Sequence, residues 1–334
     1  MWPEADLYAL SVDPGVPMEF GGRPVKTTFL DRPALRNNRA VTLPLMPLAW
    51  QFVGRHKYDI VITSHHAFAS SNALTRPTGR HYVYVHTPAR YVWTPELDGR
   101  GRSRALTPVR AVLKQIDRRS VTGIQSIAAN SKAVAERIER FWGRSADVIH
   151  PPTDTDFFTQ GRNDAVTVDV PDNFLLGIGR WILYKNMDMV IRIAEKAGMP
   201  AVIAGRGPEK DRLVSLAATA TVPVKIIESP SNDEVRELYR RADVLLFPTL
   251  EDFGLVPVEA MACGTPVIAL NKGGAAETVI DGQTGALVEE HDLEAYASAL
   301  SRALDVSPEQ CRKRANKFNR SAFIAHVSEW IKVD

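Results

Sequence analysis

Two pairs of charged residues in this chain could do chemistry. Two carboxylates bracket the stretch EDFGLVPVE, Glu251 and Glu259, and two cations, Arg180 and Lys185, lie in GRWILYKN at 179–186. Paired carboxylates could flank a scissile glycosidic bond as acid and base, clamp a sugar nucleotide, or decorate a helix start. The segment DVLLFPT reads as a buried strand delivering Glu251 to its carboxyl end, where a carboxylate requires a partner. Phe253-Gly254 then makes a turn in which glycine permits close backbone approach to a ligand. Pro257 suits a first helical turn, and PVEAMACG reads as a short helix ended by Gly264. Glu259 is thereby expected in that first turn, where free N–H groups also attract phosphate. It could accept two hydrogen bonds from the 2′ and 3′ hydroxyls of a ribose, or merely complement the helix dipole for about 0.3–1 kcal/mol.

The cations stand where a strand ending in Gly177-Ile178-Gly179 meets a helix beginning near Asn186. A diphosphate suits them, with Arg180 as a bidentate fork and Lys185 as a point charge. Two surface cations would look the same. His86 ends the strand candidate HYVYVH and is followed by a Thr-Pro loop, and His65 and His66 follow DIVITS. Isolated histidines of this kind are more often satisfied structural residues than catalytic ones.

Other chemistries are poorly supported. There is no G-x-x-x-x-G-K-[ST] phosphate loop, and neither GIGRWI nor GRGPEK completes G-x-G-x-x-G. Asp154 and Asp156 could resemble a metal-binding acid pair, but they fall in a Pro-rich connector and read better as an exposed turn. The histidines show no H-E-x-x-H spacing, and two cysteines exclude a cysteine-rich zinc site. Metal sites are thus poorly supported by the residues.

These residues need elements to position them. Strand candidates are DIVITS (59–64), HYVYVH (81–86), SIAAN (126–130), DVIHP (147–151), FLLGIG (174–179), PAVIAG (200–205), VKIIE (224–228), DVLLFP (243–248) and PVIAL (266–270). Amphipathic helical stretches alternate with them, such as SKAVAERIERFWG (131–143) and NMDMVIRIAEKAG (186–198). Strands alternating with helices imply parallel sheets covered on both faces, and there are too many strands for one small sheet. Residues 151–173, rich in Pro, Asp and Asn, read as a connection. The expected architecture is α/β, two doubly wound domains facing across a cleft. Residues 1–150 make the first and 151–334 the second, whose last helix can pack back on the first. Ligands of such sheets bind beyond the carboxyl ends of strands.

Composition agrees. The 334 residues are 45% hydrophobic and 24% charged, as in a globular protein able to bury sizeable cores. Cys263 and Cys311 imply no disulfide framework, so a reducing, cytoplasmic setting fits. The N-terminus MWPEADLYAL does not read as a signal peptide, and no apolar run approaches the roughly 18 residues of a membrane span. The net charge of +2 conceals an asymmetry. Residues 1–150 hold 21 Lys+Arg against 12 Asp+Glu, about +9, which leaves about −7 for the rest. The basic charge concentrates at 99–120, where Arg110, Lys114, Arg118 and Arg119 recur at helical spacing between Val112, Leu113 and Ile116. That is either a solvated helix face or a patch for an anionic membrane surface. Nucleic acid is disfavoured, because no binding motif accompanies the charge.

Taken together these motifs resemble the retaining glycosyltransferases of family 4, which have the GT-B fold of two Rossmann-like domains. EDFGLVPVE is similar to the family's E-x7-E motif, and GRWILYKNMD stands where the family has its Gly-Arg…Lys donor-phosphate segment. AANSKAVAERIERFWG, IAGRGPEKDRL, LYRRADVLLFPT and EAMACGTPVIALNKGGAAETVIDGQTGALV fall in the expected order. YVHTPARYVW and VIHPPTDTDFF resemble the bacterial mannosyltransferases that build O-antigen and related surface polysaccharides, including lipopolysaccharide.

The resemblance implies roles. Gly179, Arg180 and Lys185 would receive the donor diphosphate, the two cations neutralising it as it leaves. Glu251 would hold donor-sugar hydroxyls, the Phe253, Gly254, Leu255 and Val256 segment would approach sugar and phosphate, and Glu259 would bind the ribose. His86 would reach the donor sugar near the reacting centre. It further implies a metal-independent transfer with retention, a donor such as GDP-mannose, and a lipid-linked or glycan acceptor at the inner face of the membrane. The base would be read near Glu228 to Asn232. Family members begin with a strand, a Gly-Gly loop and a helix ahead of the segment resembling WPEADLYAL. This chain starts at that segment, so its first domain is expected to be short by one βα unit of about 20–30 residues. Two alternatives stay open: a related sugar-nucleotide enzyme with a UDP-sugar donor or epimerase chemistry, and a non-catalytic binding subunit.

Overall fold

The computed structural model describes residues 2–36, 42–54, 56–94, 107–161 and 166–331. They form two compact units, the first running to Ile149 and the second beginning at His150.

In the first unit, β4 (Tyr58–His65), β5 (Thr75–Val85), β6 (Ser126–Ala129) and β7 (Asp147–Val148) make a four-stranded parallel sheet in that order. Its β-branched runs bury Val83, Val85, Ile127 and Ala129 against Val134 and Ile138 of the helix Lys132–Trp142. That helix starts where the Ser131 hydroxyl accepts from Val134 N–H and ends on Gly143 at φ 66°, as its sequence predicts. The first thirty residues add strands that the sequence pattern did not reveal. β1 (Leu7–Ala9), β2 (Glu19–Phe20) and β3 (Arg23–Thr27) form a separate sheet in the order β1-β3-β2. They are short and half-exposed, so they lack the apolar run that marks a buried strand. The described residues of the first unit thus hold two separate sheets. Among the described residues β1 and β4 share no ladder, and their side chains meet instead, Tyr8 and Tyr58 sharing a hydroxyl hydrogen bond of 2.7 Å.

The second unit carries one six-stranded parallel sheet. Its strands are β8 (Leu175–Arg180), β9 (Ala201–Arg206), β10 (Val224–Glu228), β11 (Val244–Phe247), β12 (Val267–Leu270) and β13 (Gly285–Val288). Side chains alternate between two buried layers. Leu176, Leu245, Phe247 and Val267 pack with Val258 and Met261 of the helix Leu255–Ala262. Leu175, Leu246 and Ile268 pack with Val190 and Ile191 of the helix Met187–Ala197 and with Tyr296. β13 escaped the sequence reading because GALV is only four residues long and follows a turn. In the connector, Asp154 caps the N–H of Phe157 at 3.0 Å in an exposed turn; residues 162–165 lie outside the described residues. No described helix is long and apolar enough to cross a membrane.

Candidate active site

Strand order in the second unit singles out one place. From β8 the chain moves outward to β9 and β10, then returns to β11 on the other side of β8 and moves outward to β13. The carboxyl ends of β8 and β11 therefore flank the topological switch point, where loops diverge and leave a crevice. β8 leads to Arg180 and Lys185, and β11 leads to Glu251.

The fold joins these groups. Lys185 Nζ forms an ion pair with the Glu251 carboxylate, and the two side chains are only 10% and 22% exposed. The partner expected for a carboxylate at a buried strand's end is thus the lysine of the other motif. Lys185 Nζ also lies 6.0 Å from the centre of the Phe247 ring. Arg180 stands exposed at the end of β8 and donates to the Tyr184 hydroxyl at 3.0 Å. Gly179 has φ 150°, a conformation a side chain rarely adopts, beside Met187.

The turn after Glu251 is held by a feature the sequence reading passed over, the double glycine of NKGG. Gly274 N–H donates to the Glu251 carbonyl at 2.9 Å. A Cβ on Gly274 would sit 2.1 Å from Phe253 Cα, and one on Gly273 would sit 2.5 Å from the Glu251 carbonyl oxygen. Only glycine lets the two loops lie this close. Phe253 is buried, stacked on His150 at 5.4 Å, and His150 Nε2 lies 3.0 Å from Glu277.

Glu259 departs from expectation. The helix begins at Leu255, because Gly254 with φ 84° serves as its N-cap, so no acidic residue lies in the first turn. Pro257 does fall in that turn, but Glu259 comes one turn on. It does not complement the helix end; it accepts a 2.9 Å hydrogen bond from Tyr239, which is almost fully buried. Burial raises the Glu259 pKa, and the Tyr239 bond opposes that shift. The tyrosine occupies Oε2 and fixes the carboxylate's orientation. Its place on the helix Asn232–Arg241 is a long-range fact that local sequence spacing does not give. The expected base-reading segment is ordered by Glu228 pairing with Lys210, Ser229 in the left-handed region at φ 51° and a capping box between Ser231 and Glu234.

In the first unit, His86 follows β5 and is half-buried, with Nε2 2.8 Å from the Ser64 hydroxyl. His65 is fully enclosed, its Nδ1 accepting from Ser70 N–H at 3.2 Å, and burial pushes its pKa down to about 3. It is a core residue.

The basic patch is also modified. Residues 99–106 lie outside the described residues, and the helix Thr107–Ser120 carries the rest. Lys114 and Arg118 lie over the Trp93 ring at 5.2 and 5.0 Å, and Arg118 also donates to the Phe141 carbonyl. Lys114 and Arg118 are therefore engaged with the domain itself, and Arg110 is half-buried and donates to the Thr107 hydroxyl at 2.9 Å, while Arg119, Val109 and Val112 are exposed.

Comparison with known proteins accounts for both units. Residues 4–157 match the family described as Glycosyltransferase Family 4, and residues 163–321 match Glycosyl transferases group 1. Each unit thus matches a glycosyltransferase domain, and the two-domain α/β fold is that of the GT-B enzymes. It is 38% identical over 176 residues to the D-inositol 3-phosphate glycosyltransferase of Mycolicibacterium smegmatis, covering 48% of this chain and 40% of that protein. The protein of the same name from Mycobacterium sp. strain KMS is 33% identical over 224 residues, covering 62% and 50%. The chain thus spans half or less of the length of these relatives. Among solved structures, sucrose-phosphate synthase from Thermosynechococcus elongatus superposes with a TM-score of 0.74 at 20% identity, covering 97% of this chain and 87% of that one. Anabaena Alr3699/HepE, solved in complex with UDP and glucose, gives 0.67 at 18%, covering 92% and 86%. At that identity the likeness establishes the shared fold alone.

Proposed function

We propose that this chain transfers a hexose, with retention, from a nucleoside diphosphate sugar to a lipid-linked or glycan acceptor. One observation carries the reading: Lys185 and Glu251 meet at the switch point of the second sheet. Lys185, with Arg180 at the end of β8, supplies positive charge where a departing diphosphate builds negative charge, a stabilisation best delivered by groups fixed in advance. Glu251 accepts hydrogen bonds from sugar hydroxyls, and Glu259, oriented by Tyr239, accepts them from the ribose. His86 acts on the donor sugar. The leaving phosphate takes the acceptor's proton on the face it departs from, which gives retention without a metal.

The resemblance to surface-polysaccharide mannosyltransferases favours mannose from GDP-mannose. The likeness to a structure holding UDP and glucose supports a uridine donor as the competing case. The exposed Arg119, Val109 and Val112 support a peripheral contact with an anionic membrane on the cytoplasmic side. Calorimetric titration with GDP and UDP tests the donor reading. One of them should bind the wild type, and Lys185→Ala should weaken that binding about tenfold or more with the melting temperature kept. Equal binding by the variant removes Lys185 from the site.

A further inference from the structure

Three loops meet at one backbone carbonyl beside the Lys185–Glu251 pair. Pro248 is the first residue after β11, and its carbonyl oxygen lies 2.7 Å from Asn186 Nδ2 and 2.8 Å from His291 Nε2. Asn186 belongs to the loop after β8 and His291 to the loop after β13. The amide nitrogen can only donate, so the carbonyl is its acceptor. The histidine must also carry its hydrogen on Nε2 to join it, and the 3.2 Å between the two nitrogens reflects the shared acceptor. One residue further on, the Thr249 hydroxyl is fully buried and donates to the Lys185 carbonyl at 3.0 Å.

Asn186 is unusual in its own right. It stands where a helix N-cap stands, but its side chain caps nothing. Its backbone is left-handed, φ 52° and ψ 41°, a conformation that asparagine tolerates better than most residues. The left-handed turn ends the short helical turn Leu183–Lys185 and aims the amide sideways at Pro248. Lys185, immediately before it, is thereby held at both ends: its carbonyl by Thr249, its ammonium by Glu251.

We propose that Asn186 and Thr249, with His291 as the third tie, are positioning residues that hold Lys185 in place before a ligand arrives. The proposal rests on the donor-site reading above. Lysine carries a long, flexible stem, and a point charge on such a stem is useful to a diphosphate only if its backbone anchor is fixed. Neither residue needs to touch the donor. The site's cation is set by a lattice that spans the ends of three strands, so changes in any of those loops reach the diphosphate.

The test compares nucleoside diphosphate with nucleoside monophosphate affinity, GDP against GMP and UDP against UMP. Asn186→Gly keeps the left-handed backbone and deletes the tie. Thr249→Val keeps the shape and deletes the hydroxyl, and Thr249→Ser restores it. Asn186→Gly and Thr249→Val should each weaken the diphosphate about three- to tenfold, the range of one modest hydrogen bond, and leave the monophosphate unchanged. Thr249→Ser should behave as wild type. A parallel loss for diphosphate and monophosphate indicates a merely structural role and overturns the proposal. Wild-type diphosphate affinity in both variants, beside a weakened Lys185→Ala, overturns the positioning role alone. An unaffected Lys185→Ala overturns the donor-site reading and this proposal with it.

Discussion

Replacing Glu251 by Gln separates two jobs that the ion pair combines. Lys185 and Glu251 face each other in a site that is mostly shielded from water. At about 4 Å and an effective dielectric of about 20, the gross attraction is about 4 kcal/mol. Desolvating both charges offsets much of it, so a net of about 1 kcal/mol remains to hold the lysine on its carboxylate. A diphosphate that recruits Lys185 competes with that attraction and meets the carboxylate's own negative charge. Gln keeps the size and removes the charge. The Kd of the bound nucleoside diphosphate should therefore fall about three- to tenfold, an energy of about 0.7–1.4 kcal/mol. Transfer should go the other way. Hydrogen bonds to a charged acceptor contribute about 1.5–3 kcal/mol, so loss of the carboxylate should cost transfer from the sugar nucleotide at least about tenfold, up to about 150-fold. Calorimetry with GDP and UDP reads the first effect and initial rates of sugar transfer read the second. If nucleoside diphosphate affinity drops together with the transfer rate, Glu251 is not a competitor for Lys185 and the reasoning fails.

The remaining predictions follow from buried titrating groups. His65 and His81, with pKa values pushed down by burial to about 3 and about 4, stay neutral in the fold and protonate near 6.5 once unfolded. The unfolded state thus binds more protons as pH falls below about 6.5, and each histidine should cost about 2 kcal/mol of stability between pH 7 and pH 5. Urea midpoints at the two pH values measure this, and His65→Asn, which keeps an acceptor for Ser70 N–H, should remove about half of the dependence; an unchanged dependence contradicts it. Tyr239→Phe removes the bond that opposes the raised pKa of Glu259. Glu259 should then stay protonated to higher pH, so the acid-side loss of nucleotide affinity should move to higher pH, while an unmoved profile means Glu259 does not bind the nucleotide.

The sequence by itself determined the α/β class, helices such as Lys132–Trp142 and Met187–Ala197, and nine strands, because most of the parallel strands are written as short apolar runs and capped helices announce their ends. It also marked Arg180, Lys185 and Glu251 as residues that could do chemistry, since each stands at or just beyond the end of a strand, whereas His86 received a role only from the family resemblance. Tertiary structure decided what those residues do to one another. Lys185 and Glu251 are sixty-six positions apart in the chain, and only the adjacency of β8 and β11 makes them a pair. Tyr239 on Glu259, the double glycine under Glu251 and the three loops on the Pro248 carbonyl are likewise invisible locally, because strand order, not spacing, brings them together. One local reading failed for a local reason. Gly254 took the left-handed conformation and started the helix at Leu255, earlier than Pro257 suggested, and so carried Glu259 out of the first turn and into the reach of Tyr239.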